Sequence, residues 1–189
     1  MSLAEIQAEL ERRPIAINKF RPSAGIGRSQ AFGIVGRRCL PPDYSRLCWQ
    51  RPYLYKLLLA YGAANVPFPF TSITVNMNYQ ATAHRDKNNI GSSYLVGVGS
   101  YAGGELEILE GEMKGKYDIR TPVITDFSKV LHAVLPFTGT RYSLVYYTAN
   151  RSEGLPPPST ELIDGKWVFK RGDEVCRGLP HPLKGRTKS

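Results

Sequence analysis

Cysteine is scarce in this chain, and its three copies (Cys39, Cys48 and Cys176) show no CxxC spacing. That excludes a disulfide-stapled scaffold and a zinc ribbon, and makes a reducing intracellular compartment, nucleus or cytoplasm, the expectation. Long apolar runs are missing as well, since none approaches the roughly 18 residues of a membrane span. The N-terminus has an acidic, capped start in place of a basic n-region and apolar h-region, so no secretory signal and no membrane contact are expected. Histidine is rarer than its usefulness would suggest, with only three in 189 residues. The shortage with most consequence is of negative charge. There are 16 Asp and Glu against 25 Lys and Arg, a formal net charge of +9.

That excess is unevenly placed. Residues 1–56 carry ten basic and four acidic groups, 57–150 carry seven of each, and 151–189 carry eight and five. A basic flank on a neutral centre suggests a polyanionic partner that the ends hold. The ordinary alternative is a solvated basic face, or arginines that pair with the nearby acids. At 42% hydrophobic and 22% charged the chain is neither disordered nor a coiled coil. Its length suits one domain that buries a core without staples, with a monomer as the default state.

Local patterns divide the chain. Ser2-Leu3-Ala4-Glu5 is a capping box, and Leu3, Ile6 and Leu10 recur at helical spacing until Pro14, predicting a helix over 2–13. Residues 21–52 are rich in Arg, Gly, Pro and Ser and read as loops with one or two strands. A second helix fits 53–61, with Gly62 as its stop. From residue 70 the period becomes two: Ile73, Val75 and Met77 alternate with Thr74, Asn76 and Asn78. Further strands are expected at 92–98, 105–109, 117–120, 122–126, 130–135 and 141–148. The fold class is α+β, mainly β: a jelly roll with N-terminal helices packed on one sheet. Residues 1–150 form the domain, with a core at 70–148 and a basic region at 12–56. Asp164-Gly165 sets a type I′ hairpin within a C-terminal unit, 151–189, that ends in a basic tail.

Two of the three histidines lie in the strand-rich middle. His84-Arg85-Asp86 follows a strand, and His132 comes 46 residues after Asp86. Two imidazoles and a carboxylate occupy one face of an octahedral metal and leave three positions open, the facial arrangement of non-haem Fe(II) oxygenases. Arg141-Tyr142-Ser143 begins nine residues after His132. On a strand Arg141 and Ser143 point the same way, and a guanidinium beside a hydroxyl suits a carboxylate. HxD alone is a weak signal. HxD, a later His and RxS in this order on successive strands make a strong one.

These residues resemble a known family. ITVNMNYQATAHRD, GSYAGGELEI, TDFSKVLHAVLP and GTRYSLVYYT, within 73–148, resemble the double-stranded β-helix (cupin-like) core of Fe(II)/2-oxoglutarate dioxygenases. Within that superfamily they are most similar to the TET/JBP branch of nucleic-acid base oxygenases. The similarity is closer to the compact versions in algae, fungi and large DNA viruses, which would place a viral member in its host's nucleus or cytoplasm. GRSQAFGIVGRR and RPYLYKLL extend the resemblance toward residue 25. The last 40 residues lie outside it.

The resemblance implies that His84, Asp86 and His132 hold Fe(II), and that Arg141, assisted by Ser143, binds the distal carboxylate of 2-oxoglutarate. O2 and the cosubstrate would then oxidise a C–H bond, with succinate and carbon dioxide as by-products. Asn76, Asn78, Asn88 and Tyr94 are candidates to orient ligands or cosubstrate, although each can equally be a turn or sheet polar group. Gly103-Gly104 matches the family's GGEL signature, or is simply a tight hairpin. The expected substrate is a methylated base, 5-methylcytosine or thymine, in DNA more than RNA, and a buried base would have to be flipped out. Arg28, Ser29, Gln30, Arg37, Arg38 and Asn88 are the candidate substrate contacts, within arginines interleaved with Phe20, Phe32, Tyr44 and Trp49. A protein side-chain (prolyl-type) hydroxylase and a non-catalytic nucleic-acid-binding protein are the alternatives. A kinase loop is excluded, because Gly91 stands where HRD needs an Asn, and the glycines at 97–103 lack dinucleotide-fingerprint spacing.

Overall fold

A computed structural model describes residues 1–16, 25–37, 40–150, 152 and 154–176, with Arg37 described by its backbone alone. The helix α1 (Leu3–Arg12) carries the capping box the sequence encodes: Ser2 accepts from the Glu5 N–H while the Glu5 carboxylate accepts from the Ser2 N–H. Then come β1 (Gly25–Arg37), β2 (Leu40–Tyr44), a single turn α2 (Leu47–Gln50) and α3 (Pro52–Asn65). The strands β3 (Ser72–Ala81), β4 (Asn89–Gly103), β5 (Leu106–Ile108), β6 (Gly115–Tyr117), β7 (Val123–Thr125), β8 (His132–Val134) and β9 (Phe137–Ala149) follow. The segment expected as a strand over 117–120 is shifted: the ladder to β5 covers Gly115–Tyr117, and the chain then turns.

The major sheet has the order β2-β1-β3-β9-β4-β7 and the minor sheet β6-β5-β8. Alternation gives the major sheet two distinct faces. Ile73, Val75, Tyr142, Leu144 and Tyr146 face the helices and pack with Leu54, Leu57 and Leu58 of α3 and Ile6 and Leu10 of α1. Thr74, Asn76, Ser143, Val145 and Tyr147 line the space toward the minor sheet. A second apolar cluster of Leu95, Leu106, Ile108, Ile119, Val123 and Phe127 closes that space. The result is a two-sheet jelly roll with helices on one outer face.

One sequence expectation fails and another is exceeded, each for an identifiable reason. Gly62 does not stop α3; the helix runs on to Asn65. A Cβ at Gly62 would stand 2.4 Å from the Phe70 ring and 2.7 Å from the Tyr146 ring, so this glycine lets the helix approach the sheet. In the Gly- and Arg-rich stretch, where one or two strands among loops are expected, both β2 and β1 form, and β1 alone runs to 13 residues. Its glycines sit where β3 comes close: a Cβ at Gly27 would be 2.2 Å from the Asn78 carbonyl oxygen.

A β-bulge lies at that contact. The register between β1 and β3 slips between Ile26 and Arg28, and opposite it Asn78 has φ +49°. The extra residue inverts the alternation, so Thr74 and Asn76 before it and Tyr79 and Ala81 after it all face the inter-sheet cavity.

After residue 150, β10 (Pro158–Ile163), β11 (Lys166–Arg171) and β12 (Glu174–Cys176) form a separate antiparallel sheet. Asp164 and Gly165 both have positive φ, as a type I′ turn demands. Phe169 is fully buried against Tyr44 and Tyr55, and Arg171 pairs with Asp43 at 3.2 Å. The hairpin thus covers the helical layer. The basic tail beyond Cys176 lies outside the described residues.

Candidate metal centre

Between β3 and β4 the chain crosses from the major to the minor sheet. His84 and His132 exchange backbone hydrogen bonds of 2.9 and 3.0 Å, which adds the crossing segment to the edge of β8. The Asp86 N–H donates to the Phe127 carbonyl at 2.9 Å. Three backbone bonds therefore fix HxD against the segment that carries the second histidine.

The side chains converge. Ligand atoms of His84, Asp86 and His132 all lie within 4.8 Å of one another, and the two imidazole centroids are 4.4 Å apart. Each imidazole is oriented from behind: His84 Nδ1 lies 2.7 Å from the Thr82 carbonyl and His132 Nδ1 lies 3.0 Å from the Val130 carbonyl. A carbonyl can only accept, so Nδ1 carries the proton in both rings and Nε2 is left as a lone-pair donor. His84 Nε2 is 3.5 Å from Asp86 Oδ1. Burial lowers the His132 pKa, which favours the neutral form that binds metal. Two imidazoles and one carboxylate match the donor set that Fe(II) takes in facial-triad sites.

Neighbouring residues hold this cluster. Arg85, the middle residue of HxD, donates to Glu110, whose carboxylate also accepts from the Leu131 N–H. Asn89 donates to Asp86 Oδ2 and to Ser93, both at 3.3 Å. Sequence reading missed Asn89; its only signal was an amide three residues after the carboxylate, within a turn.

Along the cavity, Asn76 donates to Ser143 Oγ at 3.1 Å. Arg141 is 2% exposed, and its Nε donates to the Gly104 carbonyl at 3.1 Å. Among the described residues no carboxylate forms an ion pair with it. Burial lowers its pKa, yet a guanidinium stays charged in proteins. A Cβ at Gly104 would be 2.9 Å from Arg141 Cδ and Nε, so Gly104 is the space the arginine passes through rather than only a hairpin turn.

Other candidates fall elsewhere. Tyr94 faces the helical core and shares a 3.1 Å hydrogen bond with Tyr61, across the sheet from the cavity, so it does not reach the ligand cluster. Asn78 is the bulge residue; its side chain accepts from the Arg141 N–H at 2.8 Å and so acts on backbone, not on a ligand. Asn88 is exposed, and its carbonyl accepts from Asn150. Arg28 and Gln30 donate to the Ile15 and Ala16 carbonyls and tie down the chain after α1. Ser29 is buried opposite Asn76. Arg38 and the Arg37 side chain lie outside the described residues. Arg12 and Arg51 both meet Glu9, at 2.8 and 3.6 Å, and Arg13 donates to the Gln50 carbonyl. These three belong to the helical layer, on the face of the major sheet opposite the cavity.

About four fifths of the chain has solved counterparts in fold. NgTET1 in complex with 5mC DNA matches with a TM-score of 0.54 and 17% identity, covering 81% of this chain and 70% of that one. An oxidoreductase of the 2OG-Fe(II) oxygenase family from Burkholderia pseudomallei matches with a TM-score of 0.53 and 20% identity, covering 79% and 81%. The fold is that of the 2OG-Fe(II) oxygenases. A prolyl-4-hydroxylase from Pseudomonas putida matches more loosely, with a TM-score of 0.48 and 15% identity over 79% of this chain and 85% of that one. No family model and no curated protein matches the sequence. Within the 2OG-Fe(II) oxygenase fold, the converging side chains here stand on the crossing segment, β8 and β9. No helix among the described residues is long and apolar enough to cross a membrane.

Proposed function

We propose that this protein is an Fe(II)- and 2-oxoglutarate-dependent dioxygenase that oxidises a methyl group on a nucleic-acid base. The observation that carries the reading is the convergence of His84, Asp86 and His132, with both Nδ1 atoms committed to carbonyls. When bound, the iron, O2 and 2-oxoglutarate supply the oxidising chemistry, with succinate and carbon dioxide released. The chain's own residues bind and orient. Nε2 of the two imidazoles and the Asp86 carboxylate hold the metal, and Asn89 steadies Asp86. Arg141 neutralises the distal carboxylate of the cosubstrate, and Ser143, whose oxygen already accepts from Asn76, donates its hydroxyl proton beside it.

A base as substrate is supported by the net charge of +9 and by the likeness in fold to a protein solved with 5mC DNA. A paired base would have to leave its stack to enter the cavity. DNA is the favoured polymer, a monomer the default form, and an intracellular compartment the expected place of action. A second reading, hydroxylation of a protein side chain, gains from one finding: Arg12, Arg13, Arg28 and Arg51 are engaged within the protein. Incubation with Fe(II), 2-oxoglutarate and either methylated DNA, unmodified DNA or RNA, followed by nucleoside mass spectrometry, tests the proposal. Oxidised base together with succinate is the expected result. Succinate release with peptide but no polymer oxidation would move the protein reading to first place.

A further inference from the structure

A second cavity, of about 180 Å3, lies on the helical face of the major sheet, where none of the proposed metal ligands reaches it. Ile34 and Ile73 of the sheet, Leu59 of α3 and Phe70 line it from below, and Leu155 and Pro157 of the connector between β9 and β10 line it from above. Ile34 and Ile73 belong to the main apolar core, and Leu59, Phe70 and Leu155 pack against that core. The space is therefore a gap in the core under a strap of chain. Protein interiors keep few voids larger than a water molecule. The strap is held from two sides: the Tyr44 hydroxyl donates to the Pro156 carbonyl at 2.7 Å, and the Gly172 N–H donates to the Pro157 carbonyl at 3.1 Å.

None of the described residues that line this cavity is charged. Most of its hydroxyls are already committed. Tyr44 donates to the strap, Tyr55 is hydrogen-bonded to Cys48, and Thr71 accepts from the Ala149 N–H at 2.9 Å. Ser152 is the remaining polar side chain of the lining. A buried water needs roughly two to four polar partners, so these side chains suit an apolar guest better than water. A dry apolar cavity of about 150 Å3 is large enough to take benzene.

We propose that the gap under the 155–158 strap is a binding site for a small uncharged apolar molecule, about the size of one six-membered ring. The site is separate from the metal centre and does not depend on the reaction proposed there. Its occupant completes the apolar core beneath the connector that leads to the C-terminal sheet.

Titration of the full chain with benzene, followed by 13C-methyl NMR and by melting temperature, tests this. The methyl signals of Ile34, Leu59 and Ile73 should shift, and those of Leu95 and Leu106 in the metal cavity should not. At about ten times the dissociation constant the melting temperature should rise by roughly 3–6 °C. Benzoate is the same ring carrying a charge that this lining cannot pair. Judged at the same methyl groups, it should bind at least about tenfold more weakly. Leu155→Trp brings a larger side chain into the gap from above, so it should abolish the benzene shifts and keep or raise the ligand-free melting temperature. If that variant melts lower, Leu59→Phe makes the same test from α3. Absence of methyl shifts, shifts confined to the metal cavity, benzoate binding equal to benzene, or native-like benzene binding in both filled variants would each overturn the inference.

Discussion

One oxygen of Glu110 ties together the two segments that carry the proposed metal ligands: it accepts from Arg85 Nε at 3.0 Å and from the Leu131 N–H at 2.6 Å. Arg85 stands between His84 and Asp86, and Leu131 precedes His132. Glu110→Gln keeps an acceptor for the backbone and loses the charge. Groups that orient metal ligands typically change affinity 10–100-fold, and both side chains here are partly exposed, so a loss near the lower end, about tenfold, is expected. Competition with a chromogenic chelator measures it.

The same carboxylate should leave a signature in acid. Hydrogen bonds from Arg85 and the Leu131 N–H hold Glu110 below its usual 4.5. A group with a depressed folded-state pKa contributes stability that is complete above its unfolded value and is lost as pH falls through the folded one. Native protein should therefore lose stability below about pH 4.5 more steeply than Glu110→Gln. Urea midpoints at a series of pH values would show parallel curves if the pair contributes nothing.

Alanine at His84, Asp86 or His132 should abolish Fe(II)-dependent succinate release from 2-oxoglutarate, while Arg141→Ala should leave metal affinity near native and raise the 2-oxoglutarate requirement. Activity that persists in all three ligand variants would refute the metal assignment. Metal titration run beside 2-oxoglutarate titration separates the two classes.

At Gly62 two effects oppose each other. Alanine gains up to about 1 kcal/mol of helix propensity, but its methyl would meet Phe70 at 2.4 Å and Tyr146 at 2.7 Å. Overpacking of a filled core costs typically 1–3 kcal/mol, so Gly62→Ala should be destabilising on balance, by about 1 kcal/mol. Equilibrium denaturation decides the sign.

Cys48 is fully buried beside Gly33, and burial pushes its thiol up to about 12. At pH 8 roughly one molecule in ten thousand would carry the thiolate, the reactive form. Native protein treated with iodoacetamide should show no modification at Cys48 by peptide mass spectrometry, and full modification after denaturation.

The candidate metal site was legible in the sequence because its chemistry is concentrated in rare residues. With three histidines in the chain, an HxD pair, a later His and an RxS pair stand out, and the strands that bring them together follow a period of two. The outer helix α1 was legible for a similar reason, since its capping box is local. What was hidden depends on contacts between distant segments. The stretch holding β1 reads as loops with one or two strands because glycine interrupts its apolar pieces, yet the approach of β3 demands glycine at position 27. Tyr94 and Asn78 look like site residues in a polar strand, and only the strand faces and the bulge show that one lies under α3 and the other holds backbone. Arg12 of α1 and Arg51, just before α3, read as part of a grip on substrate, whereas both meet Glu9 once the helices pack.

The bulge at Gly27 and Asn78 makes β3 a counting device. Four cavity-lining residues and the spacing to His84 depend on a single half-period change of phase along the strand. Pairing Asn78 in regular alternation, with no bulge and no residue removed, would turn Tyr79 and Ala81 outward and shift the approach to His84, even with every proposed ligand still in the sequence. The bulge and the extra residue are therefore matched to each other: a strand of this length that lost the bulge would carry the motif without the site, whereas one shorter by a residue would need no bulge at all.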